Sequence, residues 1–264
     1  MTVKTAIVLV FASLVSAFVV GGLVGYAGTT YGPESYRRWF EALSLVLGQS
    51  FMVIPVLWYL HVKNLPMRFH LRLLPVSRYV LVATLFIAIG LIIWVDELDR
   101  LIAIIIPPPD SMLAISAQLY FDGSIVAMIL WFTIIVIAPL GEELLFRGFL
   151  QQMLEVYWLD ITKAVLVTSM VFALVHFNPF WIIQIYLLGL VLGYLSWKTD
   201  SIIPGLIVHG LNNALALLIT QFIPEDGDTF YAVGGHVSLV WLFLASIALF
   251  VGFKLLHQTK EVVR

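Results

Sequence analysis

SIVAMILWFTIIVIAPLGEELLFRGFLQQ, residues 124–152, sets a long apolar run directly against three ionisable side chains. From Ser124 to Gly141 there is no charge, and the run is long enough to cross most of a bilayer core. Glu142, Glu143 and Arg147 then follow without a turn signal, while Leu144, Leu145, Phe146, Phe149 and Leu150 keep the segment apolar. Such a stretch reads as a membrane helix that continues to about Gln152 and carries costly groups inside it.

The rest of the chain agrees. Of its 264 residues 61% are hydrophobic and only 11% charged, with a mean hydropathy of +1.02. Soluble domains run about 45–50% apolar and about 25% charged, so this chain cannot coat a water-soluble globule. The same composition excludes disorder, coiled coil and collagen. A net charge of −2 leaves no basic footprint for nucleic acid. With no cysteine there is neither a disulfide framework nor a thiolate nucleophile.

Outward from residues 124–152, seven further apolar stretches have spanning or near-spanning length: Ala6–Tyr26, Leu43–Val62, Tyr79–Trp94, Ala164–Phe177, Trp181–Trp197, Ile203–Phe222 and Leu239–Leu256. Leu101–Ile106 is also apolar, but Pro107-Pro108-Pro109 stops it, and it reads as interfacial or re-entrant. The first stretch exceeds a signal-peptide core and has no small-x-small cleavage site, so it reads as a retained helix. The fold class is therefore an all-α polytopic bundle of about eight transmembrane helices, a single membrane domain over residues 1–264. Gly21-x3-Gly25 and Gly189-x3-Gly193 offer close helix approach.

Eight crossings put both termini on one side. That side then holds Lys4, Lys63, Arg68, Arg72, Arg78, Lys163, Lys198, Lys254, Lys260 and Arg264. The other holds only Arg37, Arg38 and Arg100, with Asp96, Glu97, Asp99, Asp110, Asp122, Glu225, Asp226 and Asp228. The positive-inside rule makes the first side cytosolic.

Ionisable groups inside the spans fall in three places: Glu142-Glu143-x3-Arg147, His176, and His209-x3-Asn213. Glu143 and Arg147 are one turn apart in the favourable carboxylate-first order, so they are expected to pair. Glu142 points about 100° away, without a partner on its own helix. An unpaired carboxylate in an apolar site holds its proton more tightly, the tuning a general acid or base requires. His209 and Asn213 share a face, where an imidazole and an amide can grip an oxyanion or a water. At ~1.5 Å per residue, Glu142 and His209 lie about 14 Å and His176 about 20 Å from the inner ends of their helices. Three helices thus deliver polar groups to one depth, in or near the cytosolic half. Structural readings exist for each group: a wetted helix end, a packing histidine, an interfacial histidine.

In order and spacing, Glu142-Glu143-x3-Arg147, Phe172-x3-His176 and His209-x3-Asn213 resemble the three-motif signature of the CPBP family of intramembrane proteases (CAAX prenyl endopeptidase and bacteriocin-processing, or Abi, proteins). The stretch from Gly189 through Asp200 and Pro204 to His209 is similar to that family's approach to its last motif. The resemblance covers about residues 124–220, the expected catalytic core. Asp200 departs from it, standing where relatives commonly have Gly. The resemblance implies that Glu142 and His176 activate the attacking water. It also implies that His209 and Asn213 stabilise the oxyanion, and that Glu143 and Arg147 form a structural pair.

The cofactor stays open. Glu142, His176 and His209 match a two-His-one-Glu zinc set, and zinc would acidify the water and polarise the carbonyl. The histidines come from separate helices, however, not from a preset H-E-x-x-H turn. A metal-free scheme needs only the residues already named and is slightly preferred. The expected function is an intramembrane endopeptidase acting near the cytosolic leaflet, in the plasma membrane of a prokaryote. Its partners would be membrane lipid and a peptide or lipidated protein substrate, with oligomeric state undetermined. A small transporter and a non-catalytic immunity or scaffold protein are the alternatives, though no inverted repeat is detectable.

Overall fold

The structure is a computed structural model, described for residues 1–109, 119–222 and 229–258. Asp110, Glu225, Asp226, Asp228, Lys260 and Arg264, assigned to faces above, lie outside the described residues.

The helices in chain order are α1 (Val3–Tyr31), α2 (Arg37–Phe51), α3 (Ile54–Val62), α4 (Arg78–Ile105), α5 (Ile125–Trp158), α6 (Ile161–Leu174), α7 (Ile182–Thr199), α8 (Ile203–Phe222) and α9 (Leu239–Gln258). A two-residue hairpin, β1 (Ala232–Val233) with β2 (His236–Val237), precedes α9. Counting α2 and α3 together, seven helices among the described residues are long and apolar enough to cross a membrane. The chain is an integral, multi-pass membrane protein with a helical bundle fold. Side-chain caps start several of the helices: Thr2, Ser77, Ser124 and Asp160 each accept from the backbone N–H three residues on.

Three local features differ from the sequence reading. The expected crossing Ala164–Phe177 is α6, whose 14 residues rise only about 21 Å, short of a core about 30 Å thick. Phe177 turns to φ +50° just before Asn178-Pro179, where the proline disfavours helix in the preceding residue. The α6–α7 turn is therefore recessed, and His176 stands in it. Leu101–Ile106, expected to be interfacial or re-entrant, is not a separate segment: α4 runs unbroken to Ile105. The helix tolerates its acidic stretch because Glu97 accepts from Val237 N–H at 2.7 Å and from His236 Nδ1 at 2.9 Å, while Asp96 accepts from Tyr231 at 2.9 Å. Finally, α2 breaks before α3 at Pro55, which has no N–H to give the Phe51 carbonyl. Ser16 of α1 donates to that carbonyl at 2.9 Å instead.

Apolar burial gives helices no drive to associate in lipid, so close approach and hydrogen bonds must supply it. The α1–α2 seam uses the first: a Cβ on Gly28 would lie 2.2 Å from that of Phe40. The α4–α9 seam does the same, where a Cβ on Gly90 would meet the Ala245 carbonyl at 2.5 Å. The hydrogen bonds gather around α5.

Two faces of the bundle can be told apart by contact. One joins the loop after α3 to the ends of α5 and α7: Ser201 donates to the Leu74 carbonyl at 2.6 Å, and Gln152 to that of Phe69 at 3.0 Å. The other joins the starts of α2 and α5 to the end of α8: Arg38 pairs with Asp122, and Phe121 N–H donates to Gln221 at 2.9 Å.

Candidate active site

The site forms where α5 changes its winding. Thr133–Ile137 is π-helical, Ala138–Glu142 is α-helical, and Glu143–Gln151 is π-helical again. Such stretches are rare and concentrate at functional sites. Pro139 explains part of the first. In a π-turn the Ile134 carbonyl would accept from residue 139, which has no N–H to offer. The Asn213 amide of α8 fills the gap, donating to the Ile134 carbonyl at 3.0 Å.

Glu143 is fully buried and locked. Arg147 Nη1 donates to its Oε1 at 2.9 Å, and His209 Nδ1 lies 3.0 Å from the same oxygen. The pairing expected from the four-residue spacing is present, with His209 added. The guanidinium of Arg147 stacks 4.0 Å from the Phe172 ring centroid and reaches the Gly189 carbonyl at 3.4 Å. Gly205 faces Glu143 closely enough that a Cβ there would lie 2.9 Å from Oε2.

Glu142 points elsewhere. Its Oε2 stands 3.6 Å from His209 Nε2 and 4.0 Å from His176 Nε2. Two helices and the α6–α7 turn, 34 and then 33 residues apart along the chain, thus bring Glu142, His176 and His209 together. The Nδ1 of His176 is 2.7 Å from the Phe172 carbonyl and must donate to it, which leaves Nε2 an acceptor facing Glu142. A gap of 4.0 Å is too long for a direct hydrogen bond and suits one bridging water. Asn213 is not joined to this trio by any hydrogen bond among the described residues. One of its amide hydrogens is committed to Ile134, and the second is left for a ligand.

The sequence named Phe172 in its motif without a role for it, and it singled out neither Gln151 nor Glu155. Phe172 is buried to 1% and presents its ring to Arg147, to His176 at 4.8 Å and to His209 at 5.7 Å, so it sets the spacing of the group. Gln151 and Glu155 extend the Glu143–Arg147 face by two more steps of four. Gln151 donates to Glu155 at 2.8 Å and to the Gly193 carbonyl at 2.9 Å. Buried Arg72 closes the chain on Glu155 and, at 3.2 Å, on Asp200. Recurrence at 143, 147, 151 and 155 was the available signal. Asp200 has φ +50°, a conformation that favours Gly but that Asp tolerates. Its carboxylate is used on Arg72.

Glu142 and His176 also form the inner end of a cavity of about 690 Å³. Its walls are α1 from Leu14 to Thr29, α2 from Arg37 to Met52, and Leu119, Leu130, Phe146 and Val175. Nothing in the three motifs pointed to α1 or α2.

Two histidines and a carboxylate are zinc-type donors, yet among the described residues no three such side chains are grouped to hold an ion. His209 Nδ1 faces Glu143, the orienting contact a metal-ligating histidine also makes, and its Nε2 faces Glu142.

Residues 124–215 match the family model described as type II CAAX prenyl endopeptidase, Rce1-like. That span holds Glu142, Glu143, Arg147, His176, His209 and Asn213, and it is consistent with the CPBP resemblance. It leaves α1, α2 and the cavity wall they form outside the match. No curated protein and no solved structure matches the chain. The match supports an intramembrane endopeptidase of the CAAX-protease type.

Proposed function

We propose that the protein hydrolyses a peptide bond inside the bilayer with a water held between Glu142 and His176, and without a metal. The observation that carries this reading is a carboxylate lining a large cavity, 3.6 and 4.0 Å from two imidazole nitrogens, one on α8 and one in the α6–α7 turn.

In this scheme His176 Nε2 accepts a hydrogen bond from the water and orients its oxygen toward the scissile carbonyl, that O–H staying on the tetrahedral intermediate. Glu142 takes the other proton as the carbon–oxygen bond forms. His209, held through Nδ1 by Glu143, turns Nε2 toward the oxyanion, with the second amide hydrogen of Asn213 beside it. Collapse breaks the carbon–nitrogen bond, and Glu142 passes its proton to the departing amine. Arg147 and Glu143 hold His209 in place and touch no reacting atom.

The family name brings lipidated C-terminal tails into view as substrates, and the same chemistry serves any extended membrane peptide. The test is cleavage of a fluorogenic membrane peptide by the purified chain in lipid. Activity should survive zinc chelation and vanish in Glu142→Gln. Loss on chelation with recovery on added zinc would overturn the metal-free scheme, and an active Glu142→Gln would remove the reading altogether.

A further inference from the structure

The walls of the cavity that holds Glu142 and His176 are mostly apolar side chains and glycine, and most of their polar groups are engaged elsewhere. Ser44 donates to the Gly21 carbonyl at 2.7 Å, and Thr29 donates to the Gly25 and Tyr26 carbonyls of its own helix. Arg37 and Glu41 stand about two turns or more from Gln49 along α2. Gln49 is the exception. Its Oε1 is buried and accepts no hydrogen bond, and among the described residues no other side chain on this wall holds a buried polar atom without a partner.

Packing sets Gln49 beside the reacting groups. Gly141 lies so close to α2 that a Cβ on it would sit 3.2 Å from the Gln49 carbonyl and 3.1 Å from Met52 Cε. Glu142 is the next residue, so it and Gln49 line one cavity from two helices in contact. An unpaired buried amide is destabilising, and one kept on a cavity wall points to a ligand group that completes it.

The chemistry of the amide defines that group. A carboxamide offers an acceptor oxygen and two donor hydrogens on one edge of reach. In an extended strand the N–H and C=O of one residue turn to the same side, the complementary pair. A scissile segment stretched past Glu142 carries such groups, and the hydrocarbon region supplies no water to satisfy them. We propose that Gln49 holds the substrate by its main chain, Oε1 accepting from the N–H and Nε2 donating to the C=O of one residue beside the scissile bond. A turn about the soft terminal torsion of the side chain brings both atoms to the cavity. This rests on the hydrolytic reading above and deepens it: the substrate class is an unfolded, extended peptide recognised at this point by backbone, not by side chain.

The test separates binding from cleavage. The full chain carrying Glu142→Gln, which cuts nothing under the scheme above, is reconstituted in lipid with the fluorogenic membrane peptide. Affinity is then measured with and without Gln49→Met, which keeps the shape and removes both hydrogen-bonding atoms. Affinity should fall about 10-fold, the scale of a buried hydrogen bond. The melting temperature should hold or rise, because Oε1 loses no partner within the protein. Replacing the peptide's amides by esters one at a time should weaken binding at one position when Gln49 is present and leave that position silent in Gln49→Met. A lower melting temperature with unchanged affinity would make Gln49 structural and overturn the proposal. The same ester profile in both chains, or no peptide binding by either, would overturn it too. Peptide bound through Gln49 by a chain that never cleaves it with Glu142 intact would instead remove the hydrolytic reading and spare this one.

Discussion

Glu142 and Glu143 are neighbours on one helix and live in different surroundings. On the Glu143 side, Arg147 bonds Glu143, Gln151 and Arg72 both bond Glu155, and Arg72 reaches the Arg147 carbonyl, while α7 and α8 supply glycines where side chains would collide. On the Glu142 side there is a cavity of about 690 Å³ and two imidazole nitrogens just beyond hydrogen-bond reach. The comparison teaches that a buried charge is held by an opposite charge at contact, as Glu143 is by Arg147, whereas chemistry needs a carboxylate left without one. His209 joins the two, with one nitrogen on each side.

Substitutions can break that contrast at either end. The largest effect is expected on the locked side: Arg147→Ala strands buried Glu143 and should cost roughly 3–5 kcal/mol, enough to abolish folded protein in detergent. Glu142→Gln should leave expression and melting unchanged while lowering turnover by about 10²–10⁴-fold. If the two variants express equally, the division of labour between the carboxylates is wrong.

Gly205→Ala puts a methyl 2.9 Å from an oxygen that cannot retreat, and an overpacking cost of about 1–3 kcal/mol should appear as a lower melting temperature. Asn213→Ala leaves the Ile134 carbonyl unsatisfied, a loss of about 1–3 kcal/mol. If its turnover also falls about 10²-fold or more, the second amide hydrogen serves the oxyanion. The smallest stability effect belongs to the open side. Gly22→Leu projects into free space, so melting should hold while KM for a long peptide rises more than for a short one.

Much of this was legible beforehand. The spans followed from run length and hydropathy, because lipid forces each crossing to be a helix of nearly fixed rise. The Glu143–Arg147 pair followed from a spacing of four. Gln151 and Glu155 continued that spacing, but Gln152 beside them and the surrounding leucines gave no reason to single them out. The short α6 was misjudged because Phe177 is apolar and extends the run on composition alone, while its backbone turns at φ +50°. That the helix runs on through Asp96 and Glu97 to Ile105 was not legible, because their partners come from residues 231–237, more than 130 positions away.

What the chain alone determined is the solvent it lives in, the number and rough extent of its helices, and which side chains are too costly to be idle. Those properties are local, set by hydrophobic length and one-turn spacing. Which of two adjacent glutamates is sealed and which lines a cavity was decided by α1, α2, α7 and α8 closing around α5. Contacts between distant segments carry no periodic trace in the sequence, so only the assembled bundle could supply that answer.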